Sequence, residues 1–282
     1  MQDFAFNDET LDINLTQSYF LSIQVSVNGL SFCILDPVRE KYIAFSNINF
    51  QKDLVLDDLY NVLEDHLHKN ELLSKKYKHV KLIWLSHKNT LIPNVYFKKE
   101  NLKKYFEFNQ KLEDLDEIHF NKLKYIDAYS IFTVPNQVAN IFIKQFPKIS
   151  FYNQQAPFIE NTFLKYHSDS KKVFVNINYG FIDLIIIEKG KLLLYNNFAY
   201  KTDTDIIYFV LYVFDQFKLN TQDTELILSG HINKESKLYS KLNEFIGHIK
   251  FDKPTEDFAY SYTFKKIPQH SFINLFNLHL CE

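Results

Sequence analysis

Apolar and polar positions sort this chain into two similar series of elements. Residues 19–27, 30–36 and 42–47 read as three strands, and residues 173–178, 181–188 and 192–198 read as three more. Each is a short run of apolar, β-branched or aromatic residues bounded by turn formers. Asn28-Gly29 predicts a two-residue hairpin turn in the first series, and Lys189-Gly190 a tight turn in the second. Helical spacing takes over after each triplet. Leu54, Leu56, Leu59, Val62, Leu63 and Leu67 recur on one face over 53–68, and a second helix runs over 203–217 behind a cap at Thr202 or Asp203. A buried-type strand then follows in both series, at 80–86 and at 225–228, the second ending in Ser229-Gly230.

Further helices are predicted at 98–108, 135–145, 157–167 and 234–246, with an apolar terminal helix at 267–280. Residues 1–17 read as a loose leader, EDLDE at 113–117 as a polar turn, and Ser168-Asp169-Ser170 as the crossing point between halves. The order β-β-β-α-β-α, found twice, predicts a duplicated α/β architecture built to hold something between its halves.

Composition narrows the chemistry. With 282 residues and 46% apolar content the chain can build two cores, and 28 Phe and 18 Tyr supply their bulk. Only 5 glycines are present, whereas loops that cradle phosphate need glycine to bring backbone N–H groups close to an anion. The net charge of -2 implies no polyelectrolyte partner for the whole chain. Arg39 is the only arginine, so the planar fork used for bidentate phosphate or guanine contacts is nearly missing. Cys33 and Cys281 form no ligand or redox motif and are expected as buried thiols in a reducing compartment. The acidic start MQDFAFNDETLD is not a signal peptide, and no apolar run reaches membrane-spanning length. A cytoplasmic protein is the expectation.

Motifs for familiar chemistry are missing: there is no G-x-S-x-G elbow, P-loop or dinucleotide fingerprint. His66 and His68 stand two apart on a predicted helix and share no face, and the other histidines are scattered, so no metal site is expected.

The duplicated order over nearly the whole chain resembles the actin-like ATPase superfamily of sugar kinases, actin and chaperone ATPases. Within it, the chain is similar to the pilus-assembly and cell-division actin homologues and to a bacterial family of unknown function whose closing helix is like IPQHSFINLFNLHLCE. The resemblance implies two ribonuclease-H-like halves, each a mixed sheet with flanking helices, around an interdomain cleft. Residues 1–150 form the first half and 151–282 the second, with the last helix packing back across the junction.

In that superfamily ATP lies between the halves, held by an acid and glycines on the first hairpin, an acid and a glycine-rich turn on the second, and paired glycines after a later strand. Here Gln24 stands in place of the first acid and Ser26 in place of the glycine after it. Asn176 replaces the second acid, Asn178 and Tyr179 replace glycines, and Gly180 and Asp183 are retained. After the later strand Gly230 remains, with His231 in place of its partner. Neutral amides attract Mg²⁺ poorly, since it favours carboxylate and phosphate oxygens, and general-base activation of water needs a placed acid or histidine.

The leading expectation is a non-catalytic member of this superfamily that binds or scaffolds an unknown protein partner, with no cofactor and no catalytic residue. A first alternative is a divergent ATP-binding protein that uses Ser26, Asn28, Asn178, Gly180, Asp183 and Gly230 around a phosphate, with Mg²⁺. For Asp183 itself, hydrogen bonding to the turn backbone is the expected role. A second alternative is an RNA- or acidic-partner-binding module. Nine lysines and one acid, Glu100, fall within 75–104, interleaved with aromatic residues, and Lys98, Lys99, Lys103 and Lys104 form its densest part. The bland reading of that stretch is a solvated face of a lysine-rich protein. Oligomeric state is left open.

Overall fold

The computed structural model describes residues 3–50, 56–166 and 169–281. In chain order its elements begin with β1 (Phe4–Asn7), β2 (Phe20–Ser26), β3 (Gly29–Asp36), β4 (Lys41–Asn49), α1 (Leu56–Lys69), β5 (His79–Trp84) and β6 (Asn89–Pro93). The series continues with α2 (Leu102–Glu107), β7 (Asp116–Lys122), β8 (Ala128–Pro135), α3 (Asn136–Gln145), β9 (Ser150–Asn153) and α4 (Gln155–Lys165). Next come β10 (Lys172–Ile177), β11 (Phe181–Glu188), β12 (Lys191–Ala199), α5 (Asp203–Gln216), β13 (Leu226–Gly230), α6 (Lys237–Phe245) and β14 (Ile249–Phe251). The last elements are β15 (Ala259–Tyr260) and α7 (Ile273–Phe276), set among short 3₁₀ turns.

Two compact units result. One comprises Met1–Pro157, Thr255–Ile267 and Leu275–Glu282, and the other Phe158–Pro254 and Pro268–Asn274. Their sheets repeat one plan. In the first unit β4-β3-β2-β5-β9 follow one another across the sheet, and in the second β12-β11-β10-β13-β14 do. In both, the first three strands are antiparallel and the last two are parallel additions. This is the ribonuclease-H-like layout of a mixed sheet with flanking helices.

Local sequence explains most of it. The central strands β10 and β11 are buried on both faces over almost their whole length, which is why they read as apolar runs, interrupted only at Asn176 and Asp183, rather than as alternating ones. The edge strand β12 alternates exposed and half-buried residues along its first half. On α1, Leu59, Leu63 and Leu67 form a buried stripe at helical spacing, and α3 contributes Val138, Ala139 and Phe142 to the same core. A second core, built on β10, β11, α5 and β13, gathers Val175, Leu184, Val210, Phe214 and Leu228. At the start of α5 the Asp205 carboxylate accepts from the N–H groups of Lys201 and Thr202, a carboxylate at the positive end of the helix.

Several expectations are corrected. The leader contains β1, which pairs antiparallel with β4, and Asp8 after it is buried against Lys41 at 2.7 Å. Burial opposes ionisation of Asp8, but its bonds to Lys41, Ser261 and Thr10 outweigh that and hold the carboxyl well below its ordinary range. The polar turn at 113–117 gives way at Asp116 to β7, which joins β6 and β8 in a separate three-stranded sheet. The lysine-rich helix is shorter than predicted, a 3₁₀ turn followed by α2. The terminal helix is broken into short turns, because α7 spans only 4 residues between 3₁₀ segments. The predicted start of the first helix at 53–55 and part of the crossing point, Ser168, lie outside the described residues.

The first hairpin is also built differently. Ser26 pairs with Gly29, so Val27 and Asn28 are the turn residues, and neither has positive φ. Gly29 already belongs to β3. A Cβ there would lie 2.5 Å from the carbonyl oxygen of Ile48, so close strand approach explains the glycine. Lys189-Gly190 does form the expected tight turn, with φ of 51° and 68°.

Candidate functional site

Cross-strand register assembles a polar row in the second unit. Ser229 pairs with Asn176, Asn176 with Asp183, and Asp183 with Asn197, across β13, β10, β11 and β12. Residues in register point to one face of a sheet, so four strands deliver polar side chains to one level. They join into a continuous chain. Ser229 Oγ donates to Asn176 Oδ1 (3.0 Å), Asn176 Nδ2 to Asn178 Oδ1 (3.1 Å), and Asn178 Nδ2 to Asp183 Oδ2 (2.8 Å). Tyr195 reaches from β12 and donates its hydroxyl to Asp183 Oδ1 at 2.7 Å. Asp183 has no exposed surface, and Asn176, Asn178 and Ser229 are all buried.

The turn above this row closes on its own backbone. Asn178 N–H donates to Phe181 O (2.9 Å), and Tyr200 N–H donates to Gly180 O (2.9 Å). Tyr200 also donates its hydroxyl to Asn178 O (2.8 Å), and burial raises its phenol pKa, which keeps it a donor. Asp183, expected to bond turn backbone, binds the side chains of Asn178 and Tyr195. Gly180 sits at φ +79° with open space about it, and Tyr179 beside it is 59% exposed. Gly230 has a different reason to be glycine. Its φ is +83°, and a Cβ there would lie 2.1 Å from Ile177 O, so the parallel approach of β13 to β10 requires it. His231 is exposed, and its backbone N–H donates to Ile177 O at 2.8 Å.

The first unit carries the counterpart row without an acid. Gln24 pairs with Ser31, and Ser31 with Asn47. Ser31 Oγ donates to Asn47 Oδ1 at 2.7 Å. Gln24 thus matches Asn176 in register, and Ser31 matches Asp183. Ser26 and Asn28 lie in this hairpin and bond locally, Asn28 N–H to Ser26 Oγ at 3.2 Å. The structure therefore brings Asn178 and Asp183 into contact, sets Gly180 and Gly230 in the same unit, and puts Ser26 and Asn28 in the other.

A second polar cluster of the first unit was missed by sequence reasoning. Ser86, just past β5, exchanges hydrogen bonds with Gln154 (3.1 and 2.9 Å) and accepts from Asn153 (3.0 Å). Gln155 extends the cluster to Asn89 (3.0 Å) and Ser130 (2.5 Å). Asn89, Ser130, Asn153, Gln154 and Gln155 are buried, and all are neutral. The run of three amides Asn153-Gln154-Gln155, where β9 gives way to α4, is the local signal that could have found it.

Apart from Asp183, the charged groups lie elsewhere. Asp252 is buried against Lys165 (2.6 Å), Asn161 (2.9 Å) and Tyr166 (3.0 Å), a paired structural cluster. Among the described residues no group of His, Cys, Asp and Glu is arranged to hold a metal ion. None of their helices is long and apolar enough to cross a membrane. Lys98, Lys99, Lys103 and Lys104 are all exposed at the start of and along α2, and Lys103 pairs loosely with Glu107 at 3.7 Å.

A family profile described as "Protein of unknown function (DUF3822)" matches residues 8–249. The chain belongs to this DUF3822 family. No curated protein matches it. Among solved structures, a Bacteroides thetaiotaomicron VPI-5482 protein with an actin-like ATPase fold and unknown function is 27% identical, with a TM-score of 0.82 over 97% of this chain and 100% of that one. The PilM–PilN type IV pilus biogenesis complex matches at TM-score 0.63 and 10% identity, over 94% of this chain and 98% of that one. The ethanolamine utilization protein EutJ from Carboxydothermus hydrogenoformans matches at TM-score 0.52 and 9% identity, over 98% of this chain and 93% of that one. The DUF3822 chain thus has the actin-like ATPase fold.

Proposed function

We propose that this DUF3822 protein is a non-catalytic member of the actin-like fold, a cytoplasmic binding or scaffolding protein for a protein partner. The observation that carries the reading is Asp183. It is the one acid retained from the superfamily's pattern, and both its oxygens already accept hydrogen bonds, from Asn178 and Tyr195. Asp183 has no exposed surface, so Mg²⁺ or a reactant water could reach its remaining lone pairs only by displacing the side chains packed around it, Asn178 and Tyr195 among them. Leaving a buried donor unsatisfied costs about 1–3 kcal/mol each.

The remaining polar positions support the same reading. Gln24, Ser31 and Asn47 in one row, and Asn176 and Ser229 in the other, carry no charge, and neither does the Ser86–Gln155 cluster. Mg²⁺ binds chiefly through carboxylates and substrate phosphates, so this donor set does not fit it. Gly180 and Gly230 are explained by a turn and by strand packing without any phosphate. Both cysteines are free and buried, which suits a reducing compartment.

Isothermal titration with ATP and Mg²⁺ tests the reading. The expected result is no heat beyond dilution. Micromolar binding that disappears in Asn178→Arg would overturn it in favour of a divergent nucleotide-binding protein.

A further inference from the structure

We propose that the face formed by the 94–98 segment and α2 is a docking surface for an anionic lipid membrane. The inference stands apart from the nucleotide-site reading, because it rests on a different part of the first unit. Three large apolar side chains protrude there: Phe108 is 90% exposed, Val95 78% and Tyr96 69%. Apolar groups this exposed need a reason when they cluster.

Local bonding brings them to one face. Tyr105 of α2 donates its hydroxyl to the carbonyl of Tyr96 and accepts the N–H of Lys98 at 3.1 Å, which pins the 94–98 segment along α2. Phe108, the residue just after α2, keeps helical φ and ψ, so it lies over Lys104 four residues earlier and beside Tyr105. The surface therefore alternates Val95, Tyr96 and Phe108 with Lys98 and Lys104, both exposed. Residues 94–108 carry four lysines and two acids, Glu100 and Glu107, a net charge of +2 in a chain whose total is -2.

The chemistry selects the occupant. The lysines ask for an anionic partner. A side chain that is 90% exposed lines no groove, so a rigid peptide gains little from it, whereas the soft interface of a bilayer can surround it. Basic residues interspersed with protruding aromatic and aliphatic ones bind that interface through both terms at once. Nucleic acid fits less well. Base stacking needs a row of aromatic faces, but here aliphatic Val95 stands among the exposed side chains and Phe97 is already stacked on Tyr129 with centroids 3.7 Å apart, whereas a bilayer interface takes aliphatic and aromatic groups alike.

Co-sedimentation of the full chain tests this, using vesicles of phosphatidylglycerol mixed with phosphatidylcholine and vesicles of phosphatidylcholine alone. Binding to the anionic vesicles that weakens with added salt is expected. At about fivefold per lysine, Lys98→Glu with Lys104→Glu should lower affinity at least tenfold. Phe108→Ser should lower it by roughly tenfold at unchanged charge. All three positions are exposed, and melting curves matching the parent establish that the variants fold. A Phe108→Trp variant adds a direct readout, a blue shift of its emission on anionic vesicles only. No sedimentation at low salt, or equal binding by the charge-reversed variant, overturns the proposal. So does tight binding to poly-uridylate or to an acidic protein without vesicle binding.

Discussion

Removing one hydroxyl from Tyr195 isolates the interaction on which the site's chemistry turns. In Tyr195→Phe the ring stays and the donor to Asp183 Oδ1 at 2.7 Å is lost. A hydrogen bond to a charged group contributes about 1.5–3 kcal/mol, against about 0.5–1.5 kcal/mol for one between neutral groups. Tyr200 supplies the internal control, since its hydroxyl donates at 2.8 Å to the neutral carbonyl of Asn178 two strands away. Tyr195→Phe is therefore expected to cost about 2 kcal/mol and Tyr200→Phe about 1 kcal/mol, read from urea unfolding followed by far-ultraviolet circular dichroism. A cycle with Asp183→Asn sharpens the test, because removing the charge should reduce the effect of Tyr195→Phe by about 1 kcal/mol or more. If Tyr195→Phe costs under about 0.5 kcal/mol, or if the two changes are additive, the hydroxyl does not hold the carboxylate.

Three further outcomes follow from named contacts. Gly230→Ala should destabilise by about 1–3 kcal/mol from positive φ alone, with more from the clash against Ile177 O, and thermal melting would register it. Gly180→Ala, with open space around its Cβ position, should cost less than Gly230→Ala in the same assay. Stability should fall with acidity through His279. Burial, aided by Lys81 and opposed by the Phe276 carbonyl and Asp257, lowers its pKa from 6.5 to about 4. The unfolded chain then binds this proton near pH 6.5 and the folded protein only near pH 4, so stability is complete above the upper value and is lost as pH falls through that window. The loss amounts to roughly 3 kcal/mol at most, and unfolding at pH 7 and pH 5 should differ less in His279→Gln than in the parent.

What was legible followed the local pattern. The two meanders stand out because their central strands are buried on both faces and carry dense apolar runs, as in Leu184–Ile187. Strands that depend on a distant partner were not legible. FAFN at Phe4–Asn7 is too short and too mixed to announce itself, and it becomes a strand because β4 pairs with it. The small sheet of β6, β7 and β8 hides for a related reason: every residue of β7 from Asp116 to Asn121 is only half buried, so no alternation is visible. Asn28-Gly29 looked like turn chemistry, yet Gly29 is there for the carbonyl of Ile48. At the candidate site the departures Gln24, Asn176 and Asn178 were readable one at a time, but their linkage was not. Tyr195 joins Asp183 only through strand register, and Ser86 meets Gln154 across 68 residues of sequence. Burial of amide with amide leaves no periodic trace.

With the retained carboxylate held in the protein's own hydrogen bonds, the chain is expected to perform no phosphoryl chemistry. Release of labelled phosphate from ATP by the purified chain, with and without chelator, measures this directly. Background release is expected in both. Release that stops with chelator and is abolished by Asp183→Asn would contradict it.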